Sequence, residues 1–210
     1  MSFSGEGDTH SRTESVDQVG DIQLKSGFKK YACDLLLDPN TANRTLSLSE
    51  GNRKVTKVKE ELSYPDHPDR FDFCRQVLCE EGLTGRCFWE VEWSGEGADV
   101  AVTYKGINRS GEGDDCDLGF NDKSWSVHCS DDSYHAWHND RSTDIPDPSS
   151  THSNRVGVYL DWPAGILSFY SVSSDKLTHI HTFHSTFTEP LYPAFGLWAT
   201  GSLVSLCEVE

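Results

Sequence analysis

The chain has 210 residues, of which 36% are apolar, 25% charged and 11% aromatic, a globular composition whose Val, Tyr, Phe and Trp favour strands. Its 18 basic against 34 acidic residues leave a net charge of −16, which repels phosphate backbones and anionic headgroups, so neither nucleic acid nor membrane is expected as a partner. No apolar run approaches the roughly 20 residues that span a bilayer, and the start, "MSFSGEGDTHSRTESVDQVGD", lacks the apolar core of a secretory signal, so a cytoplasmic location is expected.

Residues 1–27 are polar and aperiodic and read as a flexible acidic tail or linker, with Val16, Val19, Ile22 and Leu24 offering at most a short helix. "NRTLSLSEGNRKVTKV" alternates around Leu46 and Leu48 and turns at Glu50-Gly51-Asn52, a hairpin signal. "SYPDHPDRFD" is a loop. "RCFWEVEW" alternates cleanly, with Cys87, Trp89, Val91 and Trp93 on one face and Phe88, Glu90 and Glu92 on the other. "ADVAVTYKGI" places Val100, Val102 and Tyr104 together, and "SWSVHC" places Trp125, Val127 and Cys129 inward with His128 outward. The stretch "SYHAWHND" is read as a loop that this strand runs into, and "DIPDPSSTHSN" as a second loop. "VGVYLDWPAGILSFYSV" is two apolar runs joined by a turn, and "PLYPAFGLW" and "SLVSLCEV" supply the last strands. About ten short strands separated by turn signals predict an all-β, two-sheet antiparallel sandwich. Its core is expected to include Trp89, Val91, Val100, Val102, Trp125, Val127, Val158, Leu160 and Phe169.

The seven cysteines are odd in number and irregularly spaced, with no Cys-x-x-Cys pair. Most of them read as small buried hydrophobes in a reducing compartment, and neither a disulfide framework nor a structural zinc site is expected.

Five blocks carry a family resemblance: "LLLDPNTANRTLSLSEGNRKV", "GRCFWEVEW", "LGFNDKSWSVHC", "VGVYLDWPAGILSFY" and "FTEPLYPAFGLW". In this order they resemble the PRY-SPRY (B30.2) domain, most closely its fish forms, with "LDWP" at Leu160–Pro163 where the family commonly has "LDYE". The resemblance implies a bent antiparallel two-sheet β-sandwich of the concanavalin-like jelly-roll type. It implies a PRY segment over 28–82 and an SPRY segment over 83–210, merged into one folded unit. It also implies a non-catalytic protein–protein recognition module, the ligand- or substrate-reading domain of an innate-immune-type protein. Tripartite-motif ligases, butyrophilins and nucleotide-binding immune receptors carry the domain at their C-terminus. Stonefish pore-forming toxins carry it too, which gives a second implied reading as the C-terminal domain of a toxin-like protein.

Other chemistry is thinly supported. His179, His181 and His184 in "HIHTFH" lack a nearby carboxylate and read as exposed histidines. The stretch from Asp115 has Gly119 and Phe120 where a calcium loop needs an oxygen ligand and a glycine. Adjacent Cys129 and His128 point to opposite faces of a strand, which argues against a catalytic dyad. Glu90 and Glu92 read as the outward charges of a half-solvated sheet. No catalytic residue, metal or cofactor is therefore expected. A hydrolase reading would need His128, His135 or His138 to meet a carboxylate at about 2.6–3.2 Å.

The expected binding surface is a patch of His128, Ser130, Tyr134, Trp137 and Trp198, bordered by Lys105 and the acidic loop Glu112–Asp117. The resemblance places His128 and Ser130 where antibody-binding relatives have tryptophans, so antibody is not the expected ligand. Asp99 stands where phosphate-sensing relatives have a basic pocket. What remains is an unidentified protein partner, engaged by a domain expected to be monomeric in isolation.

Overall fold

The computed structural model describes residues 22–146 and 153–210. The first "SGEG", Val16, Val19 and the tip of the Pro/Ser loop lie outside those residues. The strands, in chain order, are β1 (Ile22–Leu24), β2 (Leu46–Ser49), β3 (Lys54–Lys57), β4 (Gln76–Leu78), β5 (Arg86–Ser94), β6 (Ala98–Tyr104) and β7 (Ser124–Cys129). There follow β8 (Ser133–His138), β9 (Arg141–Pro146), β10 (Arg155–Asp161), β11 (Ile166–Ser173), β12 (Lys176–His184), β13 (Leu191–Gly196) and β14 (Leu203–Cys207). They form two antiparallel sheets, one of eight strands in the order β1-β12-β11-β10-β5-β14-β3-β2 and one of six in the order β4-β13-β6-β7-β8-β9. The all-β two-sheet expectation holds.

All nine residues expected in the core are buried in one cluster between the sheets. The β5 alternation sends Cys87, Trp89, Val91 and Trp93 into that cluster. The segments assigned to PRY and SPRY share it. β3 pairs with β14 at one end of the large sheet, and β4 pairs with β13 in the other.

The sequence reading of the tail and of the outer face of β5 needs correction. The six residues 22–27, expected in the tail, are part of the sandwich. Ile22–Leu24 pairs with β12, and Lys25–Gly27 forms a turn of 3-10 helix. Phe28 stacks on Phe88 with centroids 5.5 Å apart, and Phe28 and Tyr31 also pack on Tyr159. This segment roofs the outer face of the eight-stranded sheet. Phe88 and Glu90 are consequently fully buried, and only Glu92 of the three faces solvent. Lys25 Nζ meets Glu90 Oε1 at 2.9 Å beneath the roof, so two charges leave water together.

Two further expectations change. Cys33 and Cys87 form a disulfide linking the N-terminal segment to β5. Their separation of 54 residues explains why spacing alone gives no sign of it. Of the three histidines expected to be exposed, only His184 is. A bulge opposite Phe169 and Tyr170 breaks the β11–β12 register, which leaves His179 buried with its Nε2 hydrogen-bonded to Thr182 Oγ1 at 2.7 Å. His181 is half-buried, and desolvation pushes its pKa down to about 4.

Candidate functional site

The stretch after β7 is a second hairpin, not a loop. Cys129 pairs with Tyr134, and β8 turns into β9 through Asn139 and Asp140, both at positive φ (50° and 60°). That is the backbone a tight two-residue hairpin needs, and Asn and Asp tolerate it. Strand alternation then decides the faces of β8: Tyr134 and Ala136 enter the core, while His135 and Trp137 stand on the outer face of the six-stranded sheet.

Ladder pairing aligns one row across that outer face. Gly196 lies opposite Asp99, Asp99 opposite His128, His128 opposite His135, and His135 opposite Asp144. Asp99 Oδ1 and His128 Nδ1 hydrogen-bond at 2.7 Å, as do His135 Nδ1 and Asp144 Oδ1. The Trp198 indole N–H donates to Asp99 Oδ2 at 3.1 Å. A side chain at position 196 would strike this carboxylate, because an added Cβ would lie 2.8 Å from Asp99 Oδ2. The Asp99 hydrogen bond raises the pKa of His128 against the opposing effect of burial.

The loop between β6 and β7 covers the neighbouring part of the face. Ile107, Cys116 and Leu118 pack with Phe71, Cys74 and Ala101 in a small second core that pins the loop down. Gly119, at φ +91°, passes so close to β8 that an added Cβ would lie 2.5 Å from Trp137 Cβ. Phe120 then stacks on Trp137, with centroids 4.5 Å apart and planes at 25°. Between this loop edge, the Asp99–His128–His135 row and Trp198 lies a cavity of about 400 Å³. Phe120, Trp137 and Trp198 supply its aromatic wall, and Asp99 and Asp117 its carboxylates. Burial, with Asp99 and Asp114 nearby, pushes the Asp117 pKa up to about 6.

The structure thus gathers His128, Trp137 and Trp198 of the expected patch. It does not gather the other three. Tyr134 is fully buried in the core. Ser130 sits in the β7–β8 turn, where its hydroxyl donates to the Ser133 carbonyl at 3.0 Å, and it does not line the cavity. Lys105 follows the far end of β6 from Asp99 and lies near Arg109, Asp38 and Glu80. Sequence reasoning misses Leu118 and Phe120 as wall residues, and it leaves Asp99 and His135 out of the binding patch and Asp117 at its border.

The distance required for a hydrolase reading is met at His128–Asp99 and His135–Asp144, so chemistry must be weighed on the remaining parts. Ser133 Oγ lies 3.4 Å from His135 Nε2 but also 3.2 Å from both Ser130 Oγ and Asp132 Oδ1. Asp144 is exposed, with 79% of its side chain accessible, whereas an orienting acid in a Ser-His-Asp site is held buried. Among the described residues no group of three or more His, Cys, Asp or Glu side chains is arranged to hold a metal ion. No helix among them is long and apolar enough to cross a membrane.

Residues 86–208 match the SPRY domain family, and residues 35–83 match the PRY family of SPRY-associated domains. The chain belongs to the SPRY domain family, with an associated PRY segment. This is a family of protein-interaction modules. The chain is 49% identical over 178 residues to stonustoxin subunit beta of Synanceia horrida, covering 84% of this chain and 25% of that protein. It is 45% identical over 177 residues to tripartite motif-containing protein 16 of Mus musculus, covering 83% and 31%. Among solved structures, stonustoxin superposes with a TM-score of 0.82 at 43% identity, over 90% of this chain and 29% of that one. The TRIM65 PSpry domain superposes at 0.79 and 31% identity, over 88% and 94%. The chain therefore spans about a quarter to a third of the curated relatives named, and nearly all of a free-standing PRY-SPRY domain.

Proposed function

We propose that this domain is a non-catalytic recognition module that reads a protein partner through the cavity on the outer face of the six-stranded sheet. In this reading it is the ligand-recognising domain, over residues 28–210 together with the strand at 22–24, of an innate-immune-type protein of the tripartite-motif kind. The observation that carries the reading is the aromatic wall. Trp198 is 41% exposed and held to Asp99, and Trp137 is braced by Phe120, so two indoles are offered at the surface in fixed orientations. Pre-positioned tryptophans at the rim of a concave site are the residues that most often dominate protein interfaces. His128 and its carboxylate partner help hold the wall. Ser130 and Lys105 have no part in it.

A second reading is favoured by two observations. The identity to stonustoxin subunit beta is higher than that to tripartite motif-containing protein 16, and the Cys33–Cys87 disulfide fits an oxidising compartment better than the cytosol. Here the same domain serves as the C-terminal recognition unit of a secreted toxin-like protein. The domains encoded with this chain in its full transcript separate the two readings.

The site itself is tested with peptides selected from a displayed random library on the full chain. Trp137→Ala and Trp198→Ala are each expected to weaken a selected peptide by about 2 kcal/mol or more, Trp198→Ala with the melting temperature nearly unchanged and Trp137→Ala with the modest loss of its stack on Phe120. Selected peptides that bind both variants as well as wild type would place recognition elsewhere.

A further inference from the structure

The cavity combines two features that an apolar partner group does not satisfy together. Its wall is aromatic, with Phe120, Trp137 and Trp198. Its polar lining includes two carboxylates, Asp99 and Asp117. Asp99 is already served by His128 Nδ1 and the Trp198 indole N–H. Among the described residues no such side-chain donor meets Asp117. The carboxylates of Asp99 and Asp114 disfavour its ionised form, and the neighbouring backbone N–H of Leu118 favours it.

Any partner that fills the cavity removes water from Asp117. An apolar or acidic side chain there would leave a desolvated carboxylate beside a second one, which is strongly unfavourable. A cationic donor removes the penalty. The aromatic wall adds a preference for a flat cation, because guanidinium stacks on indole and phenyl faces and binds carboxylate through paired N–H groups. The chain already contains one instance of this chemistry. The Arg75 guanidinium lies 5.7 Å from the Trp198 ring centre and 5.6 Å from that of Phe73. The chain's net charge of −16 favours approach of a basic segment.

We propose that the cavity reads an arginine side chain presented by the protein partner. The inference rests on the docking reading above and gives it a chemical class. The guanidinium would sit against the Trp137 and Trp198 rings with its N–H groups donating to Asp117. His128 and His135 would keep their hydrogen bonds to Asp99 and Asp144.

The test needs no knowledge of the natural partner. The full chain, labelled with 15N, is titrated at pH 7.5 with acetyl-Gly-Arg-Gly-amide. Parallel titrations use the same peptide with citrulline, the neutral isostere, and with phenylalanine. The arginine peptide is expected to shift the Trp137 and Trp198 indole N–H signals saturably. The citrulline and phenylalanine peptides should bind at least ten-fold more weakly. Asp117→Asn, checked for an unchanged melting temperature at pH 4, should erase the preference for arginine over citrulline. Equal shifts from all three peptides at the two indoles would overturn the arginine inference and leave the docking site standing. Shifts from the arginine peptide confined to other parts of the chain would overturn it as well. So would library-selected peptides that lose affinity in Trp198→Ala but contain no arginine. Selected peptides indifferent to Trp137 and Trp198 would instead defeat the docking reading on which it rests.

Discussion

Lys25 is the residue whose loss should reveal most about how the domain is closed. The sequence pattern assigns it to a dispensable tail, yet its side chain is only 9% exposed and its amine sits 2.9 Å from a fully buried Glu90. Arg155 reaches the other carboxylate oxygen only at 3.7 Å and is itself 45% exposed. Lys25→Ala therefore leaves a buried carboxylate with one distant, partly solvated counter-charge. Removing one partner of a buried pair typically costs about 3–5 kcal/mol, and the remaining Arg155 places this case at the lower end. At about 2–4 °C per kcal/mol for a domain of this size, the melting temperature should fall by roughly 6 °C or more. The double variant Lys25→Ala/Glu90→Leu removes the orphaned charge and should recover most of the loss. Urea unfolding of the wild type, both single variants and the double variant measures the coupling. A Lys25→Ala protein within about 0.5 kcal/mol of wild type, the range of an ordinary surface substitution, would refute the claim that residues 25–31 roof the large sheet.

Tyr134→Ala should act as a core deletion, costing about 3–5 kcal/mol by analogy with other large aromatic truncations, whereas Trp198→Ala should leave urea stability nearly unchanged. Asp117 has its pKa raised in the fold from 3.8 to about 6, so its stabilising contribution is complete below about pH 4 and is lost as the pH rises through 6. Asp117→Asn should accordingly stabilise the protein at pH 7.5 and not at pH 4, which thermal melts at the two pH values will show. Gly119→Ala should disturb both the loop and the Phe120–Trp137 stack, because its φ is +91° and its Cβ would collide with Trp137. It should lower peptide affinity and stability together, in contrast to Trp198→Ala.

The sandwich is legible in the sequence because its signals are local. Strand alternation in β5, β6 and β7 writes the inner face directly into neighbouring residues, and the six core residues expected on those strands are buried together with the three expected on β10 and β11. What is not legible depends on partners distant in sequence. Phe88 and Glu90 have the spacing of solvent-facing residues, and only the roof from residues 25–31, more than 50 positions away, buries them. The Cys33–Cys87 bond has the same origin. The bulge that parts His179 from His181 interrupts a period that the sequence shows as regular. The candidate site is half legible. Tyr134 belongs to the core and not to the binding patch, as its parity with Ala136 indicates, and the Asn139-Asp140 pair signals the hairpin that makes parity the right rule. Lys105, expected at the border of the patch, follows the end of β6 remote from Asp99, the residue that faces His128. Leu118 and Phe120 give no sign of their role, since only the close pass of Gly119 against β8 carries them to Trp137.

Amide hydrogen exchange on the full chain, with and without a library-selected peptide, tests the central claim most directly. The account predicts peptide-dependent protection at 117–120, 135–137 and 196–198, the segments that carry the cavity walls, with the eight-stranded sheet unchanged. Protection confined to the eight-stranded sheet or to the roof at 22–31, with those three segments unaltered, would contradict it.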